Sequence, residues 1–503
     1  MTDVPGGRTD GVPATSGEPG RYPIEQARAL GVLRNRHFLA LWLSQVATQV
    51  GGNMVLYGLT IAIAGLSSSY SAVSLLFLTF LLPAVVFSPV AGVYVDRLDR
   101  RLILVVANAL RAVAFVAMLL AGDNLPVIYL LSLFVATSTT FFVPAESAMI
   151  PRVVHRDQLI TANGLFLFTL NASFGIGFTM AGPLLLILAG YHALLLVVAV
   201  LYGAAALFCF TLPSGEGAAI QLSAGEAVAE AEVAVASTFG QLREGIAYIR
   251  TEPRISWSLT YLAVSSSLIG VLGVLGPLFA QRALALRPQD FVVVVIPLFA
   301  GLILGILLLN QYGRYLPRRR VIEGGLLALA TLLVLLSVAG PLSRFLAGVE
   351  TGLVDLGAVV SLLSIVTVLG FLAGLAYAVV AIPAQTQLQE ELHEDIRGRV
   401  FGVLNMLLSL AALVPIVIVG PLADRLGSEV VIFGSGVAVG LLGLGSIVAA
   451  HPPVGISAAP HGRHVPVDPL SASFSLSRGP DELEAEGEDA DPATGGRSAV
   501  GGP

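Results

Sequence analysis

Few charged or strongly polar side chains interrupt the apolar runs of this chain, and those few are where any chemistry must lie. Gln45, Gln49, Asn53 and Tyr57 recur every four residues. That step turns only about 40° around an α-helix, so the four side chains form one polar stripe. In lipid such a stripe must turn toward a cavity or toward another helix. It offers either hydrogen bonds to a polar solute or bonds between helices. The hydroxyl runs Thr137–Thr140 and Ser265–Ser267, with Thr137, Thr140 and Ser266 among them, admit the same two readings, because small hydroxyl residues also let helices pack closely. Ionisable groups are rarer still. Arg111 sits near the middle of an apolar run, one turn after Asn108, while Glu146 and Glu323 lie near run ends. A carboxylate inside a membrane protein is suited to relaying a proton, and Glu146 is the candidate for that role. The alternative is an interface residue paired with Arg152 or Arg111. Arg111 is either a structural cation or a group that meets an anionic solute.

Enzyme chemistry has no comparable foothold. His37, His155, His192, His393, His451, His461 and His464 are scattered, and no metalloprotease helix motif, phosphate loop or nucleophile elbow occurs. The single cysteine, Cys209, excludes an internal disulfide and a multi-cysteine metal site, and reads as a small buried hydrophobe. No metal and no cofactor are expected. With no nucleotide site, the chain is not a self-powered pump.

The elements that must hold these residues follow from composition. The 503 residues are 55% hydrophobic and 12% charged, against about 25% charged in soluble proteins. Every basic residue but the histidines is Arg, and the net charge of −6 argues against a nucleic-acid partner. Twelve apolar runs approach or exceed the ~20 residues of a bilayer crossing: 38–66, 71–95, 102–121, 126–149, 161–189, 191–212, 255–280, 291–313, 321–340, 357–384, 400–423 and 428–450. Backbone groups in lipid must satisfy one another, so these runs are helices. The expected fold is all-α: a polytopic membrane protein of twelve transmembrane helices in two pseudo-symmetric six-helix bundles. No cleavable signal peptide is expected, because residues 1–37 are polar and the first apolar run is too long.

With the N-terminus inside, nineteen arginines fall in the inner segments before the C-terminal tail and four (Arg282, Arg287, Arg344, Arg425) in outer loops. The positive-inside rule therefore places both termini in the cytoplasm. The expected organisation is a cytoplasmic segment (1–37), an N-terminal bundle (38–212), a cytoplasmic linker (213–253), a C-terminal bundle (254–450) and an acidic, disordered cytoplasmic tail (451–503). Within the linker, Phe239, Leu242, Ile246 and Ile249 are spaced for an amphipathic helix at the membrane surface. Val143-Pro144-Ala145 matches Ile382-Pro383-Ala384 at an offset of 239, and Gly182-Pro183-Leu184 matches Gly420-Pro421-Leu422 at 238. The shared offset marks a tandem repeat, as in many transporters.

The densest motif joins the second and third runs: Gly92, Asp96, Arg97, Asp99, Arg100 and Arg101. A plain basic inner loop explains the arginines but not the glycine and aspartate at this spacing. The segment resembles the helix 2–3 signature of the major facilitator superfamily, Gly-x-x-x-Asp-Arg-x-x-Arg-Arg, with Asp99 in place of a usual glycine. A second-half counterpart keeps Arg318, Arg319 and Arg320 but has Arg314 where the acid would be. Leu33–Phe38, Ala162-Asn163-Gly164, Phe239–Pro253 and Gly398–Gly402 are similar to one branch, the drug:proton antiporters that include macrolide and enterobactin exporters. The likeness covers about residues 33–450.

The resemblance implies that helices 1, 4, 7 and 10 line a central path and that two bundles rock about it. It also implies that Asp96 docks near Arg399–Gly402 when the path faces outward, and that protons are the coupling ion. Asn53 stands where such exporters usually carry an acid after Gly52, and Phe178 follows Gly177 where proline is usual. Coupling would then fall to Glu146. The function expected is export of small amphipathic compounds, mainly neutral or anionic, by alternating access. The protein would act as a monomer in the inner or plasma membrane, with a small-molecule substrate, protons and the lipid bilayer as its partners. Two other readings compete: a carrier that flips lipid or lysolipid, and a transport-inactive membrane scaffold or sensor.

Overall fold

A computed structural model describes residues 31–214, 243, 253–315, 317–340, 362–391 and 394–448. The amphipathic segment 237–252 lies outside these apart from residue 243, and the tail 451–503 lies wholly outside them. So do the side chains of Gly92, Asp96, Arg97 and Arg399.

Twelve α-helices and no strand occur among the described residues. In chain order they are α1 (Arg36–Ser67), α2 (Tyr70–Arg97), α3 (Arg100–Ala121), α4 (Leu125–Val153), α5 (Leu159–Ser173), α6 (Gly182–Phe210), α7 (Pro253–Ala283), α8 (Val292–Tyr312), α9 (Arg318–Ser337), α10 (Leu362–Glu391), α11 (Glu394–Leu426) and α12 (Ser428–Val448). Eleven stretches are long and apolar enough to cross a bilayer, and one of them, Leu159–Phe210, has 52 residues. At 1.5 Å per residue that is about 78 Å of helix, more than twice a hydrocarbon core. It turns back at Gly190, whose φ of 82° is open to glycine and strained for other residues. The eleven stretches therefore make twelve crossings.

Polar residues at the run ends set the helix boundaries. Asn35 caps α1, its side-chain oxygen accepting from the His37 and Phe38 amides, while its Nδ2 donates to Val153 O (2.6 Å). One residue thus starts α1 and ties it to the end of α4. Asp99 caps α3 by accepting from the Arg101 amide (2.9 Å). Asn124 does the same for α4, with Pro126 in the first turn.

The helices pack as two bundles of like construction. In the first half α2 and α3 both lie on α4, α3 lies on α6, and α1 lies on α5. The second half repeats these pairs as α8 and α9 on α10, α9 on α12, and α7 on α11. Close approach depends on glycine. A Cβ on Gly301 would collide with the Phe371 carbonyl and one on Gly374 with that of Leu298, so the α8–α10 contact is backbone against backbone. Between α5 and α6 the chain widens into a π-helix, Phe174–Ala181. There a Cβ on Gly177 would lie 2.6 Å from Val50 O. The bulge and its glycine let this segment press onto α1.

Candidate functional site

The two halves are joined at the end of the molecule that carries the α1–α2 turn. Asp424, near the end of α11, caps α2 of the opposite half: the Tyr70 amide donates to Oδ1 (2.8 Å), and the Ser71 amide and Ser69 Oγ donate to Oδ2 (2.9 and 2.7 Å). The Arg282 guanidinium lies 4.8 Å from the Tyr70 ring centroid and donates to Ser68 O. The seam continues inward. Ser74 Oγ donates to Ile416 O (2.8 Å), and Tyr57 OH donates to Gln289 O (3.2 Å). Tyr57 packs edge-on to Phe178 and stacks on Phe291, and Phe174 meets Phe299 at 6.0 Å.

Beyond the seam lies a cavity of about 520 Å³ between α2 and α4, lined by Phe80, Ala84, Ser88, Ala136, Thr139, Thr140, Val143 and Pro144. Phe80 is ten residues into α2, about 15 Å from the joined end. The walls are apolar with three hydroxyls. Thr139 and Thr140 donate to the carbonyls of Val135 and Ala136 on their own helix, and Thr139 Oγ1 in turn accepts from Arg111 (3.3 Å).

Behind Thr139 stands Arg111. It is fully buried, and each guanidinium nitrogen is used: Nε donates to Ala107 O (3.1 Å), Nη2 to Asn108 Oδ1 (2.7 Å) and Nη1 to Thr139 Oγ1 (3.3 Å). The cation also lies over the Phe142 ring at 4.2 Å and the Tyr202 ring at 4.9 Å. Asn108 passes the network on to Ser44 Oγ (3.4 Å) and Cys209 Sγ (3.5 Å), which themselves lie 3.1 Å apart. Arg111 therefore ties α1, α3, α4 and α6 together. Glu146 follows Phe142 by one turn of α4. It is buried, it feels the Arg111 charge without an ion pair between them, and its Oε1 has no hydrogen-bond partner among the described residues. Arg152 is exposed.

The other candidates separate into groups. Gln45 is buried and donates to Phe166 O on α5 (3.2 Å), Asn53 donates back to Gln49 O (2.8 Å), and Tyr57 belongs to the seam. The stripe thus spends polar atoms on interhelical and backbone bonds, with Gln49 and Asn53 only half-buried. Thr137 donates to Leu133 O. Thr140 lines the cavity, and Ser266 is half-buried on α7. Arg100 and Arg101 anchor the start of α3, donating to Ala148 O on α4 (3.1 Å) and to Phe210 O at the end of α6 (2.6 Å). Both bonds join an arginine to a carbonyl near a helix C-terminus. Tyr202, Cys209 and Asp424 were not signalled as site residues by composition or charge bias. For Asp424 a signal did exist, because Gly420-x-x-x-Asp424-Arg425-Leu426 repeats the spacing of Gly92-x-x-x-Asp96-Arg97-Leu98.

Two like-built helical bundles, in contact at one end and with a cavity set beyond that contact, are the framework of a secondary transporter. The chain belongs to the Major Facilitator Superfamily, whose family model matches residues 41–415. It is similar to an MFS-type transporter of Mycobacterium tuberculosis, 28% identical over 448 residues that cover 84% of this chain and 93% of that protein. Macrolide efflux protein A of Streptococcus pyogenes is 22% identical over 395 residues, 78% of this chain and 90% of its own. Among solved structures the nucleoside transporter NupG superposes with a TM-score of 0.57 at 14% identity, over 82% of this chain and 98% of that one. A POT family transporter bound to a thioalcohol-conjugated peptide gives 0.57 at 11%, over 82% and 96%. The chain is a multi-span transporter of a cell membrane, and not an enzyme.

Proposed function

We propose that this transporter exports small amphipathic compounds by alternating access, with both termini cytoplasmic, the Asp424 end facing outward and Glu146 carrying the coupling proton. The observation that supports the coupling role most is the buried Glu146 carboxylate oxygen, which has no partner among the described residues and lies one turn along α4 from Phe142 of the Arg111 cage. A carboxylate with a free acceptor can take up a proton without breaking a bond, and the Arg111 charge nearby favours its return. The apolar cavity with hydroxyls in its walls suits an amphipathic compound. The arginine bias supports the orientation, and the macrolide efflux relative supports the direction.

In proteoliposomes, Glu146→Gln is expected to lose accumulation of a labelled macrolide driven by a pH gradient by at least about tenfold, while counter-exchange of the same compound persists. Full gradient-driven accumulation by the variant would remove Glu146 from the coupling step. Movement of labelled lysolipid in place of the macrolide would change the substrate class.

A further inference from the structure

We infer that Asp424 is a conformational latch: its carboxylate clips α11 of the second half to the N-terminus of α2 in the first, and its release opens that end of the transporter. The inference needs only that the two halves move against each other, as rigid-body rocking requires. It does not depend on Glu146, on the compound carried or on the direction of transport.

Four donors converge on this one side chain. They are the amides of Tyr70 and Ser71 and the hydroxyls of Ser69 and Ser71 (2.5 Å), all on the other half of the molecule. The first turn of a helix has amides with no partner inside the helix, and its dipole favours a negative charge. The α2 N-terminus has no side-chain cap of its own: its N-cap residue, Ser69, gives its hydroxyl to Asp424 instead of to an amide of α2. The first turn of α2 therefore has its cap supplied from across the interface. Helices capped by their own side chains, such as α1 and α3, carry no such dependence.

The approach is built for close contact. A Cβ on Gly420, one turn before Asp424, would collide with Ser74 Oγ and lie 2.8 Å from Tyr70 O. Glycine there lets the two backbones meet, and the aspartate one turn later reaches the exposed amides. Gly-x-x-x-Asp-Arg-Leu at 420–426 stands at the C-terminal end of α11, and the same pattern at 92–98 spans the C-terminal end of α2. Because α2 and α11 pack on each other with the end of α11 beside the start of α2, the chain carries one copy of the motif at either end of this helix pair. The copy at 420–426 is engaged in this structure.

The contact is of the right strength for a latch. A charge at a helix N-terminus shifts a two-state equilibrium several-fold to about thirtyfold, enough to bias the closed end without locking it. The test is spin-label distance measurement on the full-length protein in liposomes, with labels at Leu66→Cys and Val430→Cys, exposed positions on the two halves at this end. Asp424→Ala is expected to raise the long-distance population several-fold or more, and Asp424→Asn, which keeps one acceptor, to raise it less. The paired substitution Ser69→Ala with Ser71→Ala removes two donors from the other side and should shift the distances the same way. It keeps the idea open to refutation if the Asp424 variants fail to fold. Unchanged distance distributions in the folded variants would overturn the latch.

Discussion

The two halves use the same helix pairs to bury charge, and they do it differently. In the second half Glu323 on α9 accepts from Arg319 Nε (2.7 Å) and from Ser446 Oγ on α12 (3.0 Å), while Arg319 also donates to Ser446 O (2.7 Å). Tyr261 on α7 closes the group at 2.6 Å from Ser446 Oγ. In the first half the corresponding α3–α6–α1 contact holds Arg111, and its nearby carboxylate, Glu146, is on α4 and outside ion-pair reach. The second cluster is a closed circuit in which the acid already has two donors, one of them a cation. In the first, aromatic faces and neutral oxygens hold the cation, and one oxygen of the acid has no partner among the described residues. Charge satisfied within its own bundle braces that bundle. In the proposed scheme the partly unsatisfied Glu146 is the acid that takes up the proton.

The strongest way to break this comparison is to remove the first-half cation. Arg111→Ala should lower stability by about 2–5 kcal/mol, because it removes a large buried side chain and leaves Asn108 Oδ1 without its donor. A denaturation midpoint in detergent reads this directly, and an unchanged midpoint would show that the four helices do not depend on it. A smaller effect is expected from Ser446→Ala, about 1.5–3 kcal/mol for a buried hydrogen bond to the charged Glu323, without a change in coupling. Measured beside Arg111→Ala, it calibrates how much of each cluster is packing and how much is charge. The smallest effect is expected from Glu323→Gln. It weakens a pair whose arginine is 41% exposed, so about 1 kcal/mol is at stake, and gradient-driven flux should survive. Loss of coupling in Glu323→Gln with retention in Glu146→Gln would reverse the roles assigned to the two halves.

Local chemistry made much of the fold legible. Asn35, Asp99 and Asn124 are cap residues standing before apolar runs, and the helices begin within a residue or so of them. Glu146 and Arg111 were visible because ionisable groups in apolar runs are rare. The stripe from Gln45 to Tyr57 was visible as a stripe, yet its partners were not. Whether Gln45 meets a solute or the Phe166 carbonyl depends on where α5 lies, and nothing in α1 encodes that. Cys209 read as a plain hydrophobe because a thiol gives no periodic signal. Its place beside Ser44 and Asn108 comes from α6 packing on α1 and α3.

By itself the sequence determined the class of structure and the inventory of helices, since an apolar run in lipid has no option but to satisfy its backbone internally. It also determined the family, through a loop motif and a repeat register that a single chain displays. Only the tertiary structure decided which polar groups meet. Arg111 reaches Thr139 and Tyr202 across α4 and α6, Glu146 has one oxygen without a donor among the described residues, and Asp424 caps a helix 354 residues away in sequence. Hydrogen bonds and charge pairs act over a few ångströms, so their partners follow from how the helices pack, and neither spacing along the chain nor composition carries that information.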